Sequence, residues 1–182
     1  MNSFFKNFYS LIFLFLISAF LANVNVCAQD LKAPASERDT LLRIARQYIN
    51  NVRFCSLITI DSSGYAHART MDPFQPDKKW IVWLATNPNS RKVNEIRKNH
   101  KVTLYYTGNK GIGYVSIAGT AIIVNNQSIK DSLWKEEWSR FYKNREKDYL
   151  LIKVVPKRLE VLDYKNGIVG NKKTWRTPFV NF

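Results

Sequence analysis

Short, strand-like runs recur at similar spacing along this chain and constrain its fold more than any other feature. They are rich in β-branched and aromatic residues and are separated by turn signals such as Asp61-Ser-Ser-Gly64. The predicted strands cover residues 54–60, 65–72, 80–86, 102–106, 113–124, 149–155 and 158–164. Several antiparallel strands of this spacing favour a barrel, closed or partly open. A mainly β fold with short α-helices is therefore predicted.

Three amphipathic helices interrupt the strands, where apolar residues recur at helical spacing. The first covers residues 36–51 and begins with Ser36 and an acidic residue three places on, which is the pattern of a helix N-cap. The second covers residues 91–99, and the third is marked by apolar residues from Ile129 to Phe141. We expect these helices to close the ends of the barrel or to cover its side.

Residues 1–28 have the layout of a secretory signal peptide. An almost wholly apolar run at residues 9–22 follows a start with Lys6 as its only charge, and small residues precede a cleavage point after Ala28. Asn23 and Asn25 cut the run short of the roughly 20 apolar residues that a membrane anchor needs. A lipoprotein attached through Cys27 is the alternative, which bulky Val26 disfavours. We expect an exported, periplasmic protein without a membrane span after cleavage.

The remaining chain is divided into one domain, residues 29–164, and a glycine-rich, basic C-terminal tail, residues 165–182. The formal net charge of +14 suits acidic partners: phosphorylated small molecules, nucleic acid or an anionic membrane surface. Export argues against nucleic acid. Cleavage would leave Cys55 as the only thiol, and its apolar neighbours predict a small buried hydrophobe.

The segment Ala85-Thr-Asn-Pro-Asn-Ser-Arg-Lys92 is the first candidate binding site. It leaves a strand, turns, and enters a helix with two adjacent cations in its first turn. Helix starts usually favour acidic residues, because their free N–H groups make that end positive. Arg91 and Lys92 therefore indicate either a bound anion or, with equal weight, two solvated cations on an ordinary turn.

Neighbouring positions extend this candidate anion site. Thr86 and Ser90 offer hydroxyl donors, and Arg91 can bind a phosphate through two parallel hydrogen bonds. Arg69 lies near the end of the strand over residues 65–72. If the two strands are neighbours, we expect these groups to converge on a single phosphate.

Other site chemistries lack support in the sequence. Metal-binding and hydrolase motifs are absent, and His67 and His100 are the only histidines, so no metal site is expected. Gly111-Ile-Gly113 is followed by a strand and by no third glycine in register, which excludes a Rossmann loop.

The order of these features resembles the FMN-binding split β-barrel of the pyridoxamine 5′-phosphate oxidase-like superfamily, in its general stress protein branch. The resemblance covers roughly residues 37–164. It is carried by residues 41–51, 64–71, 80–86, 90–92, 102–106, 114–121, 133–134, 151–156 and 159–163.

This resemblance implies a homodimer that binds FMN near the subunit interface. Two strands would line the flavin, Arg69 would approach its phosphate, and the 90–92 segment would hold that phosphate. The residues so assigned to the cofactor are Arg69, Thr70, Met71, Ala85, Thr86, Ser90, Arg91 and Lys92. Trp134 or Trp138 would either cover the flavin from the other subunit or pack in the core.

The resemblance is incomplete where the reaction is concerned. True pyridoxamine-phosphate oxidases carry a lysine shortly after the first flavin arginine and an arginine- and histidine-containing signature near the C-terminus. Here Arg69 is followed by Thr-Met-Asp-Pro-Phe74, and the tail lacks that signature. We therefore expect a flavin-dependent oxidoreductase of unknown small-molecule substrate, with vitamin B6 oxidation disfavoured and the catalytic residues unassigned.

Two other functions stay open at this point. One is a non-catalytic binding module for flavin, haem or another anionic ligand. The other is a surface or membrane-associated interaction protein that uses its positive charge.

Overall fold

A computed structural model describes residues 35–108 and 113–182, and the predicted signal peptide lies outside these ranges. Within them, seven strands form one antiparallel sheet. The strands are β1 (Cys55–Ile60), β2 (Ala66–Met71), β3 (Val82–Thr86), β4 (Lys101–Tyr106), β5 (Tyr114–Val124), β6 (Leu150–Leu162) and β7 (Phe179–Asn181). The α-helices are α1 (Ala35–Asn50), α2 (Arg91–Lys98) and α3 (Gln127–Ser132). Short 3₁₀ turns cover Glu136–Arg140 and Tyr164–Asn166.

The sheet closes on itself, which confirms the predicted antiparallel barrel. Its strand order is β2-β1-β4-β5-β6-β3, and β7 pairs with β6. The two end strands meet just beyond β2, where Pro73 forms a bridge with Leu84 of β3. The N–H of Phe74 also donates to the carbonyl of Trp83 at 2.9 Å. Within residues 35–108 and 113–182, this short contact is the one backbone link between the ends of β2 and β3, so the barrel is split along that side.

Alternation along β1, β4 and β5 places one face of each of these strands in the core. β1 and β4 alternate between buried and half-exposed or exposed positions, and Leu57, Leu104 and Ile117 are fully buried inside the barrel. Helix α1 buries Leu41 and Ile49 against this core, as its apolar spacing predicts. The 61–64 turn joins β1 and β2 as predicted, with Gly64 at φ 87°.

Two strand boundaries differ from the sequence prediction. β3 begins at Val82 because a turn held by Asp77 precedes it: the N–H of Ile81 donates to the Asp77 carboxylate at 2.9 Å. The predicted strands 149–155 and 158–164 are one continuous strand, β6. Pro156 is tolerated within it because β6 is bulged beside it: Lys157 is the extra residue between the pairs Gly119–Pro156 and Ala118–Arg158, and the ladder is interrupted there.

The predicted helix from Ile129 to Phe141 is wrong as a single helix. Helix α3 ends at Ser132, and the chain resumes as the 3₁₀ turn Glu136–Arg140. The carbonyl of Leu133, which a continuous helix would pair within its own backbone, instead accepts a hydrogen bond from the Tyr149 hydroxyl at 3.2 Å. A contact distant in sequence therefore ends the local periodicity.

The segment assigned to a C-terminal tail contributes β7 to the sheet. Val180 is buried in the core, and β7 pairs with the Arg158–Glu160 part of β6. Residues Ala33–Phe182 form one compact unit. Across the described residues, the helices are all too short or too polar to cross a membrane.

Candidate functional site

A cavity of about 460 Å³ lies at the split of the barrel, where β2 and β3 end together. Its volume is within the range of small-molecule pockets. The bridge beyond β2 makes the two strands neighbours at this point, which is the condition on which the predicted phosphate site depends. Five of the eight predicted cofactor residues line the cavity: Thr70, Met71, Ala85, Thr86 and Lys92. The remaining wall consists of Arg53, Phe54, Asp72, Glu137, Trp138, Arg140, Phe141 and Tyr142.

One end of the cavity carries a connected set of donors. The Lys92 ammonium donates to the Thr86 hydroxyl at 3.1 Å, and that hydroxyl lies 3.0 Å from the Ser90 hydroxyl. Ser90 is the N-cap of α2, but among the described residues its side chain makes no capping hydrogen bond. The first turn of α2 contains no acidic residue. The donors of this helix start are therefore available to an anion.

Lys92 is half-buried, and this placement has an electrostatic cost. Burial lowers the pKa of its ammonium group, the positive charge of Arg69 lowers it further, and Glu95 partly opposes the shift. A lowered lysine pKa means that the charged form is less stable here than in water. An anion bound beside Lys92 would relieve this cost.

Arg69 and Arg91 meet a buried carboxylate rather than the cavity. Arg69 donates to Oε2 of Glu95 at 2.9 Å and to the hydroxyl of Thr59. Nε of Arg91 lies 3.1 Å from the other oxygen of Glu95, which is an ion-pair distance without hydrogen-bond geometry. Glu95 thus ties together two of the arginines that the sequence assigned to the phosphate.

The ionisation of Glu95 reflects these partners. Burial by itself would raise the pKa of this carboxyl group. Hydrogen bonds from Thr59 and Arg69, together with the charges of Arg69 and Arg91, outweigh burial and bring its pKa below the usual value. Sequence reasoning missed Glu95, although its position four residues after Arg91 on a helix was a usable signal.

His67 lies on the far side of the Glu95 cluster. Its Nε2 is 2.8 Å from a carboxylate oxygen of Asp61 and 3.9 Å from Glu95. Together with Arg91 and Lys98 these residues line a shallower cavity of about 310 Å³. The eight predicted residues are therefore divided: five face the larger cavity, Ser90 reaches it through Thr86, and the two arginines are held by Glu95.

Aromatic side chains form much of the remaining cavity wall. Trp138 is 5% exposed and makes edge-on contacts with Phe74 and Trp134 at ring-centroid distances of 5.5 and 6.1 Å. It packs in a core cluster with Tyr149 and Ala85 while it lines the cavity. Core packing of this tryptophan is thus the alternative that the structure supports.

Lys135 links the aromatic side chains of the cavity wall to the end of β2. Its ammonium group lies 3.2 Å from the carboxylate of Asp72 and over the rings of Phe74 and Trp138. This cation joins residues that are distant in the sequence, so no local pattern indicated it.

Two titratable groups near the cavity remain protonated at neutral pH. Burial raises the pKa of the hydroxyl of Tyr142, a lining residue of the cavity, to about 12. Burial also raises the pKa of the Cys55 thiol to about 12, which confirms its prediction as a small buried hydrophobe.

A family model described as "Pyridoxamine 5'-phosphate oxidase like" matches residues 42–172. General stress protein 26 of Bacillus subtilis is 29% identical over 100 residues, which cover 53% of this chain and 69% of that protein.

Solved structures have the same fold. General stress protein 26 of Bacillus anthracis has a TM-score of 0.61 at 21% identity and covers 77% of this chain and 97% of its own. A protein of Nostoc punctiforme, described as pyridoxamine 5'-phosphate oxidase-related and FMN binding, has a TM-score of 0.58 at 12% identity. It covers 82% of this chain and 98% of its own. These likenesses confirm the predicted split barrel.

Proposed function

The chain belongs to the pyridoxamine 5′-phosphate oxidase-like family, and from this premise we propose that it binds FMN in the cavity at the split of the barrel. The observation that carries the proposal is the donor set of Lys92, Thr86 and Ser90 beside the start of α2. We further propose that the protein is a flavin-dependent oxidoreductase whose small-molecule substrate is unassigned.

The residues of the cavity suit the two parts of this cofactor. A phosphate matches the hydroxyls, the ammonium and the free N–H groups at one end. A flat ring system matches the apolar and aromatic surfaces of Met71, Ala85 and Trp138. When bound, FMN would supply the redox chemistry, and the protein would supply orientation and electrostatics.

The chain's own groups have separate tasks in this proposal. Lys92 and Thr86 hold the phosphate, and Glu95 keeps Arg69 close enough to contribute positive charge at that end. Trp138 excludes water from the aromatic part of the cavity wall. The Tyr142 hydroxyl, protonated because its pKa is about 12, donates a hydrogen bond to an acceptor in the cavity.

Export and dimerisation belong to the same proposal. Residues 1–28 support export to the periplasm as a cleaved signal peptide. Phe54 and Phe141 line the cavity and are 46% and 67% exposed, so a second subunit that covers them would bury apolar surface and narrow the cavity. N-terminal sequencing of the secreted protein and light scattering test these two points.

The decisive experiment for cofactor binding is reconstitution. The protein is purified, its visible spectrum is recorded, and FMN is titrated while flavin fluorescence is followed. Saturable quenching of flavin fluorescence is the expected result. Absence of flavin absorbance after purification, together with no binding after added FMN, would sink the proposal.

A non-catalytic binding module is the second candidate, and the composition of the cavity wall favours it. Among the described residues that line the cavity there is neither a histidine nor a cysteine, and its tyrosine has a pKa of about 12. Histidine, the side chain most often used for proton transfer, is therefore missing from the described lining, and Asp72, Glu137 and Lys92 remain as titratable groups there. Flavin that binds but is not reduced by nicotinamide or another added donor would favour this candidate over an oxidoreductase.

A further inference from the structure

A basic and aromatic surface lies outside the proposed flavin site, on the segment between β6 and β7. Residues 164–176 contain four cations and neither aspartate nor glutamate. These cations, Lys165, Lys172, Lys173 and Arg176, are all exposed. Three large apolar side chains of the segment are exposed as well: Tyr164 by 58%, Val169 by 43% and Trp175 by 86%. We call these seven residues the tail surface.

Two consecutive turns give the tail surface a defined shape. In the first, Asp163 and Ile168 exchange backbone hydrogen bonds, and the Asp163 carboxylate accepts from the N–H of Lys165 at 3.1 Å. In the second, the side-chain oxygen of Asn171 accepts from the N–H groups of Lys173 and Thr174, both at 2.9 Å. Hydrogen-bonded turns therefore hold the backbone that carries the exposed side chains of the tail surface.

Trp175 is held outward in a conformation that bulky residues rarely adopt. Its φ is 57°, in the left-handed region. Its N–H donates to the Asn171 carbonyl at 2.8 Å, and the Asn171 N–H donates to the Arg176 carbonyl at 3.0 Å. These two backbone hydrogen bonds hold Trp175 in this conformation, with its side chain 86% exposed.

We propose that the tail surface docks the protein on an anionic lipid bilayer. Lysine and arginine near such a surface are attracted by its negative potential. Tryptophan and tyrosine prefer the level of the headgroups, where an apolar ring and a polar tip are both accommodated. The tail surface matches both properties of that interface. Its cations suit the negative potential, and its exposed aromatic side chains suit the headgroup level.

Charge and composition favour this partner over two others. A second copy of the chain would bring two acid-free sets of cations together, and like charges repel. Three of the four cations are lysines, whereas recognition of bases prefers the planar fork of arginine. Val169 offers aliphatic surface, which suits lipid better than stacked bases.

The proposal is tested by sedimentation of residues 29–182 with lipid vesicles. This chain contains the whole compact unit and omits the apolar leader, which would bind lipid by itself. The probes are vesicles of phosphatidylcholine alone and vesicles of phosphatidylcholine mixed with phosphatidylglycerol. We expect binding to the mixed vesicles that weakens as salt rises, and a blue shift of tryptophan emission that Trp175→Phe reduces.

Two charge-matched variants locate the contact. Lys172→Ala with Lys173→Ala should lower the vesicle partition constant roughly 25-fold, at about fivefold for each lysine. Lys78→Ala with Lys79→Ala removes the same charge from another exposed pair and should have little effect.

Three results would overturn the proposal. They are equal losses in the two double variants, no preference for mixed vesicles, and an emission shift that Trp175→Phe leaves unchanged. Since none of these residues lines the flavin cavity, FMN binding should be the same in all the variants. Failure of this proposal is therefore distinguishable from failure of the flavin site.

Discussion

Lys92 is the residue on which the proposed phosphate site most depends. It is the one cation of the predicted pair that lines the larger cavity, and its ammonium pKa is lowered chiefly by burial. Arg91, its neighbour in sequence, is 67% exposed and faces Glu95. The two cations, equivalent in the sequence pattern, therefore have different expected effects on binding.

Lys92→Ala should raise the Kd for FMN about tenfold to a hundredfold, because a charged hydrogen bond of roughly 1.5–3 kcal/mol is lost. The Kd for riboflavin, which has no phosphate, should change far less. Fluorescence titration with both ligands measures the difference.

Lys98→Ala is the matched control for that substitution, since Lys98 is exposed on the same helix. Arg91→Ala should fall between the two. Equal losses of FMN and riboflavin affinity in the Lys92 variant would contradict a phosphate contact.

Glu95 leads to a prediction about stability. Its carboxylate is 5% exposed and is bound by Arg69 and Thr59. Glu95→Gln should lower the free energy of unfolding by about 3 kcal/mol, because it leaves a part-buried arginine without its counter-charge. Urea denaturation measures this loss, and the exposed Glu146→Gln is the control. A loss no greater than that of the control would show that the pair contributes little.

The same carboxyl group predicts how stability depends on pH. Its pKa in the folded protein is below the usual value. A depressed carboxyl pKa stabilises the fold above the unfolded pKa, about 4.3, and the contribution is lost as pH falls through the folded pKa. Below about pH 4.3 the Glu95→Gln variant should therefore lose stability less steeply than the parent. Parallel pH profiles of the two proteins would argue against this assignment.

At the scale of elements, Gly119 of β5 is the residue that pairs with Pro156 of β6. The register shifts between Ala118 and Gly119, and a Cβ at Gly119 would collide with the backbone carbonyl of Val155. Gly119→Ala should therefore destabilise the fold by about 1–3 kcal/mol, the range for overpacked sites. Thermal denaturation measures the loss.

Gly170→Ala is the control for that substitution. A Cβ at Gly170 would meet its nearest backbone atoms at 3.6 Å, which is ordinary van der Waals contact. This variant should change Tm by little. Similar shifts in both variants would mean that the close approach of β5 to β6 is not what requires a glycine at position 119.

At the scale of the whole molecule, FMN should stabilise the fold by mass action. A ligand at about 100 times its Kd contributes roughly 2.7 kcal/mol, which for a chain of this length is about 5 to 10 °C in Tm. Riboflavin at the same concentration should give a smaller shift, and Lys92→Ala should remove most of the difference between them. A Tm that does not rise with FMN concentration would oppose the proposed cofactor site.

Local patterns by themselves determined much of this protein. Alternating apolar residues, turn residues and helical spacing identified the strands, the barrel class and the start of the second helix at Arg91. Of the five predicted residues that line the cavity, these patterns indicated Thr86 and Lys92, whereas Thr70, Met71 and Ala85 were assigned by the family resemblance. Strands, turns and helices depend on residues that are close in the sequence, so their patterns can be read from the sequence directly.

Only the tertiary structure decided which groups meet across the barrel. Glu95 holds Arg69 and Arg91, Lys135 fastens the aromatic wall to β2, and Tyr149 ends the helix before Trp134. The strand that continues through Pro156 likewise depends on a bulge at Lys157, which only the pairing with β5 reveals. Each of these contacts joins two elements that are distant in the sequence. The periodicity of one element contains no information on which side chains of another element will pack against it.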